Sequence, residues 1–286
     1  MPRARRSVWR RIARDPAALV PLGVIVTIVL AAIVLPSAIV VRPQAQDLRA
    51  RFAAPSTKYW LGTDSLGRDQ TSRLIVGARV SLTIAVTAVT IAAVVGIALG
   101  LSAGYLGGMW DTLVMRGVDV IMAFPMVLLA IVLLTALDGR LPGLVNVAVA
   151  LGLASVPGFA RVVRGQVLVL RETDFVIAAR AVGCSAHRVM RVHVLRNCAT
   201  GIIVYSTLRF GGIILTEASL SFLGLGVPPP TATWGGMVAE GTRHLQRVPW
   251  LVIAPGLAII LTVLSANLLG DALRDAFDPR SARAER

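Results

Sequence analysis

The stretch DFVIAARAVGCSAHRVMRVHVLRN, Asp174 to Asn197, decides how this chain is read. It is an arginine-bearing polar insert between two long apolar spans, and the small residues Ala178, Ala179, Ala181 and Gly183 leave room for another surface to approach. Phe175, Ile177, Ala178, Ala181 and Val182 fall at the spacings of one helical face. The pattern predicts a helix that runs on from Arg161 and is stopped by Gly183. A second, short helix is expected over Ser185 to Val194, capped by Ser185 and lying along the membrane surface. A helical polar loop built on small residues is suited to receive force from a soluble partner.

The composition around this loop fixes the environment. Of 286 residues, 56% are hydrophobic and only 15% charged, with a mean hydropathy of +0.75. That is more apolar side chain than a soluble domain of this length can hide. Covering about 30 Å of hydrocarbon takes about 20 helical residues. Six stretches are candidates: Ala17–Val41, Val80–Gly104, Val118–Leu137, Leu144–Ala160, Gly201–Thr216 with an apolar continuation to Leu225, and Trp250–Gly270. Gly96, Gly100, Ser102 and Gly104 mark the second as a close-packing helix. The expected fold is an all-α, polytopic transmembrane helix bundle of about six spans. Residues 1–16 form a tail, 17–270 the membrane domain with the loop 161–200 and the external segments 42–79 and 217–249, and 271–286 a second tail.

Six arginines precede the first span, but its apolar core outruns a secretory signal and no small-residue cleavage site follows, so it reads as an uncleaved helix. With the N-terminus inside, 18 of the 29 basic residues fall on inner segments and 10 on outer ones, Arg209 lying within a span. This predicts that both termini are cytoplasmic in a plasma (inner) membrane protein.

The net charge of +14 would suggest nucleic acid in a soluble protein; here the arginines sit at membrane edges, where anionic lipid attracts them, and no nucleic-acid partner is expected. Lys58 is the only lysine, and it follows Thr57, so the chain cannot carry a G-x-x-x-x-G-K-[ST] phosphate loop. If ATP drives this protein, another subunit binds it. His187, His193 and His244 all lie in polar segments, which removes a buried Ser-His pair, and His187, His193, Cys184 and Cys198 fit no strong zinc pattern. No catalytic residue and no metal ligand are assigned.

Two ionisable residues interrupt the apolar run from Ile202 to Leu225. Arg209 and Glu217 are eight residues apart, about two turns, on a similar face. They are candidates for a pathway or an inter-subunit contact, with an outer-interface helix cap as the other reading of Glu217. In the external segments, Val227 to Pro230 reads as extended chain, Trp234 and Trp250 as membrane-interface residues, and Gly62, Thr63, Asp64, Gly67, Arg68 and Asp69 as turn and capping material.

The loop resembles the EAA-type coupling loop of permease subunits in ATP-binding-cassette importers. Ala178, Ala179, Gly183 and Leu195 match that pattern, while Ile177 stands where glutamate is usual and Arg196 where proline is usual. Further blocks, LGTDSLGRDQTSRLIVGARVSL (61–82), GYLGGMWDTLVMRGVDVIMAFP (104–125), EASLSFLGLGVPPPTATWGGM (217–237) and NLLGDALRDAFDPR (267–280), are similar to the second permease of dipeptide, oligopeptide and nickel importers. The resemblance implies a type I importer architecture with a cytoplasmic coupling helix. It implies pairing with a second, homologous permease, two cytoplasmic ATPases that bind the ATP and Mg, and an extracytoplasmic substrate-binding protein. Phe175, Ala178, Ala179, Arg180, Gly183, Arg188, Arg191 and Leu195 become the expected ATPase-coupling residues. The expected cargo is a dipeptide or short oligopeptide, with nickel or another small ligand as the alternative. A self-sufficient secondary transporter should show internal repeats and more charge at mid-membrane.

Overall fold

The computed structural model describes residues 15–38 and 42–277, and these are almost entirely helical. The helices are α1 (Pro16–Ala38), α2 (Gln70–Leu106), α3 (Gly108–Met122), α4 (Met126–Ala136), α5 (Gly143–Leu170), α6 (Asp174–Ala181), α7 (Ala186–Phe222), α8 (Trp234–Thr242) and α9 (Trp250–Phe277). Among them α1, α2, α5, α7 and α9 are each long and apolar enough to cross a membrane; α3 and α4 qualify only as a pair, bent by 97°.

The centre of the bundle is α2 against α5. Gly96, Gly100 and Gly104 recur every four residues on α2, and a Cβ on any of them would run into Phe159, the Ala160 carbonyl or Val167. Backbones approach this closely only where side chains are absent, and without a hydrophobic drive between helices in lipid such contact supplies the association energy. Ala85, Ala88 and Ala92 continue the stripe, fully buried. Against this pair lies α7, α9 packs on α7, and α1 packs on α9, where Ala18 meets Ala272, Leu273 and Ala276.

Several expected boundaries move, each for a local reason. The span Val118–Leu137 is not one helix: it breaks at Ala123–Pro125, since Pro125 has no N–H to continue α3 and instead opens α4. Helix α2 begins at Gln70 rather than Val80 because Asp69 caps it, accepting from the Thr71 and Ser72 amides at 3.2 and 2.9 Å. Residues 70–79 of the segment 42–79 expected as external chain are therefore helix. The fourth span extends from Ala160 to Leu170 but does not run on to Gly183, because Arg171 to Thr173 turn the chain. Ser185 does cap a helix, its Oγ accepting from the Arg188 amide, yet that helix is α7 itself, continuous through a π-helical turn at Val189–Val194. The short surface helix is α6 instead. At the far end α9 continues through residues 271–277, expected as tail. Residues 1–14, 39–41 and 278–286, which hold the N-terminal arginines, the Val41 boundary and Arg280, Arg283 and Arg286, lie outside the described residues.

The end of the bundle that carries α8 is closed by charge. Asp64 accepts from the Leu66 and Arg68 amides and from Arg68 Nε at 2.6 Å. Glu240 on α8 accepts from Arg68 Nη2 at 3.0 Å and Arg73 Nη2 at 2.7 Å. Gly62 and Gly67 both sit at φ +71, and Gly67 lies against the Asp47 backbone with no room for a Cβ. These residues act as turn and cap, as their pattern suggested. Trp234 does not face lipid: it is buried, its amide donating to Ser81 Oγ and its indole to the Leu74 carbonyl. Trp250 packs against Gly62.

Candidate coupling surface and membrane-embedded charges

Helix α6 is apolar on two sides. Val176 and Ala179 are buried against Val163 and Val167 of α5 and Val189, Val194 and Cys198 of α7. Phe175, Ile177 and Val182 point the other way, 42%, 51% and 79% exposed, with Ala178, Ala181 and Gly183 beside them on the surface. A soluble surface helix keeps one apolar face and shows a polar one. Here the outward face is apolar as well, the composition of a helix that is covered twice.

The end of α6 is held by a glycine cap. Gly183 adopts φ +85; its amide donates to the Arg180 carbonyl at 2.9 Å, and the Cys184 amide to the Ala179 carbonyl at 3.1 Å. This is the paired bonding of a Schellman motif, which needs the left-handed residue that glycine supplies. No atom lies within 4 Å of where a Gly183 side chain would begin, so the cap is open to a partner.

The arginines around this face divide into two sets. Arg180 is tied back to the bundle: its Nε donates to the Tyr105 hydroxyl at 3.2 Å and its guanidinium lies 4.8 Å from that ring centroid. Arg188, Arg191 and Arg196 are exposed, and His187, Arg188, Arg191 and Val192 line a shallow groove of about 470 Å³. Of the residues expected to touch an ATPase, Phe175, Ala178, Gly183, Arg188 and Arg191 share the outer surface. Ala179 and Leu195 face the interior, so they shape the loop from behind. The two departures from the coupling-loop pattern, Ile177 and Arg196, are both exposed.

Arg209 and Glu217 do not meet. Glu217 is buried within α7, takes a hydrogen bond from Ser221 Oγ at 2.8 Å and lies beside the hydroxyls of Thr233 and Ser81. Those two hydroxyls also accept the Gly236 and Trp234 amides. The carboxylate is thus a buried knot joining α7, α2 and the start of α8 rather than a surface cap. Nothing in its residue type marks this; the signal was the recurrence of hydroxyl residues at Ser81, Ser221 and Thr233. Arg209 lies deeper, donating to Met126 Sδ and Ser155 Oγ. Sequence reasoning missed the pairs that hold α3 to α5: Arg164 grips Asp111 with two bonds of 2.6 and 2.7 Å, and Arg161 meets Asp119 at 2.6 Å. A basic and an acidic residue at matching depths of neighbouring spans was the available clue.

Residues 96–283 match the family model described as binding-protein-dependent transport system inner membrane component. The chain belongs to that family. Residues 4–55 of this permease also match the N-terminal transmembrane domain of oligopeptide transport permease C. It is 40% identical over 275 residues to the dipeptide transport system permease protein DppC of Alkalihalophilus pseudofirmus, covering 96% of this chain and 90% of that one. It is 46% identical over 226 residues to the glutathione transport system permease protein GsiD of Escherichia coli, covering 79% and 74%. Among solved structures, the MetNI methionine ABC transporter in inward-facing conformations superposes with a TM-score of 0.61 at 16% identity, over 72% of this permease and 97% of that chain. An amino acid ABC transporter gives 0.52 at 18% identity, over 73% and 94%. The fold is that of an ABC importer permease, and the protein is an inner-membrane transport subunit.

Proposed function

We propose that this permease is one half of the translocation unit of an ATP-driven importer of dipeptides or short oligopeptides. It pairs with a second homologous permease, is driven by two ATPases that bind ATP and Mg, and receives cargo from an extracytoplasmic binding protein. The observation that carries the reading is α6, apolar on both faces and ringed by outward-pointing arginines. An ATPase groove with an apolar floor and an acidic rim fits that surface, with Phe175, Ala178 and Gly183 on the floor and Arg188 and Arg191 at the rim. Closure of the ATPase pair moves α6, and α6 is packed on α2, α5 and α7, so the motion reaches the bundle as a rigid body.

The basic residues around α6 support a cytoplasmic position for that end and for both termini, with the α8 end turned toward the binding protein. The peptide assignment is supported by the peptide names of relatives at 40% and more identity. Nickel or another small ligand is the competing cargo. The test is reconstitution of the permease with its partners in liposomes. ATP hydrolysis stimulated by a peptide-loaded binding protein is the expected result; stimulation only by a binding protein loaded with another ligand would overturn the cargo, and failure of any ATPase to associate would overturn the coupling role of α6.

A further inference from the structure

Arg209 is a cation for which the described residues supply no counter-charge. Its Nη2 donates to two neutral acceptors, Met126 Sδ at 3.2 Å and Ser155 Oγ at 3.4 Å, and its Nε is buried without an acceptor. Among the described residues no carboxylate pairs with it. Glu217, the acid nearest along α7, is engaged by Ser221 instead. Ser155 stands about 18 Å into α5 from Gly143, at 1.5 Å per residue, which is near the middle of a hydrocarbon core of about 30 Å. An arginine there, half-buried and unneutralised, is costly enough to call for an anion from elsewhere.

The surface beside Arg209 carries further polar groups. Gly201, Tyr205 and Arg209 recur every four residues, so they share one face of α7, and that face looks on α5. Tyr205 sits edge-on to Phe159 with centroids 4.8 Å apart, its hydroxyl against Gly158. Toward the α6 end a groove of about 700 Å³ opens between α5 and α7, where Arg161, Gln166 and Asn197 stand beside the apolar Val162, Val169 and Leu170. Guanidinium, amide and phenol groups at membrane depth are costly against lipid, so the polar side of this groove suits water or a polar solute.

We propose that Arg209 holds the carboxylate of the transported peptide midway across the membrane, and that the α5–α7 groove is its way on toward the α6 end. This deepens the peptide-importer reading and rests on it. The Nη hydrogens that Met126 and Ser155 leave free supply the charge-assisted bonds that a carboxylate takes in pairs, and Met126 and Ser155 hold the guanidinium in place without neutralising it.

The test uses the whole transporter in proteoliposomes. Uptake of a dipeptide with a free C-terminal carboxylate is compared with uptake of its amide. The acid-to-amide ratio falls about tenfold in Arg209→Gln relative to the unmodified permease, the scale of one lost hydrogen bond between charged groups, and returns in part in Arg209→Lys. An unchanged ratio overturns the proposal. If the unmodified transporter takes up neither compound, the peptide reading has failed, and a second measurement decides on Arg209 alone. In Arg209→Cys, with Cys184 and Cys198 replaced by alanine, a membrane-impermeant anionic thiol reagent reacts if anions reach this point. No reaction overturns the site, because a lipid-facing position, or one sealed against the second permease, is closed to such a reagent.

Discussion

The two ends of the bundle handle charge in opposite ways. At the α8 end two arginines and two carboxylates, Arg68, Arg73, Asp64 and Glu240, neutralise one another inside the fold. At the α6 end Arg188, Arg191 and Arg196 stay on the surface beside an apolar face that none of the described residues covers. A closed charge set specifies its own geometry and needs no counter-charge from outside, although Arg73 Nε and Nη1 have no hydrogen-bond acceptor. An open one is complete only in an assembly, so the first end is read as a brace and the second as a joint.

The brace breaks most severely at Arg73. Its side chain is 2% exposed and spans Asp64 and Glu240. Arg73→Ala is expected to cost about 3 kcal/mol, the low end for breaking a buried ion pair because Glu240 is partly open to water. The readout is the thermal midpoint of the detergent-solubilised permease. Replacing Arg73 and Glu240 together by apolar residues of similar volume should restore most of that loss. A double variant as unstable as the single one would show that the charges themselves, rather than their mutual compensation, hold this end.

Glu217 belongs to the brace although it sits within a spanning helix. Glu217→Ala leaves the hydroxyls of Ser221, Ser81 and Thr233 without their common acceptor and should cost about 2 kcal/mol. Glu217→Gln, which keeps an acceptor oxygen, should cost less than half as much. Limited proteolysis between residues 223 and 233 gives a local reading, since the knot anchors the start of α8. Equal cleavage of the variant and the unmodified protein would remove Glu217 from this role.

The joint responds in a different measurement. Val182 is 79% exposed, so Val182→Asp should change the stability of the permease by less than about 0.5 kcal/mol. Its affinity for the ATPases should nevertheless fall at least tenfold, about 1.4 kcal/mol, because a carboxylate would enter an apolar contact. Ala179→Asp is the contrasting change. Ala179 faces the bundle, so that variant should loosen α6 and lower stability as well as association. Equal effects of the two would mean that α6 has no distinct inner and outer face.

The sequence made the joint more legible than the brace. Small residues ending in glycine, set between apolar spans, announce a capped helix and an approachable surface, and Gly183 holds the left-handed angle that this reading requires. Hydropathy located the spans because lipid imposes one composition on every spanning helix, yet it could not see the 97° break at Pro125 or the turn at Arg171 to Thr173. Both depend on backbone geometry at a few residues that a window averages away. The partners of Arg73 and Glu217 were hidden for another reason: Glu240 lies 167 residues from Arg73, and only the packing of α8 on α2 brings them together. Arg209 and Glu217 show the limit of helical spacing. Sharing one face of one helix did not bring them together, because each is claimed by a different neighbouring helix.

The smallest effect tests what fills the space between these ends. Two ion pairs join α3 to α5. Arg164 and Asp111 form a double bond of charges with side chains 31% and 17% exposed, whereas Arg161 and Asp119 make one contact and are 51% and 55% exposed. If the groove beside Arg161 holds water, its pair is screened and Arg161→Ala should lower stability by at most about 0.5 kcal/mol, less still in high salt. Arg164→Ala should cost more and depend less on salt, because bidentate geometry and partial burial protect that pair. A loss for Arg161→Ala as large as that for Arg73→Ala, and insensitive to salt, would mean that the exposed pair sits against something drier than water. In that case the wall of α5 and α7 would be covered by protein or lipid rather than open, and the route assigned to the peptide would have to pass elsewhere.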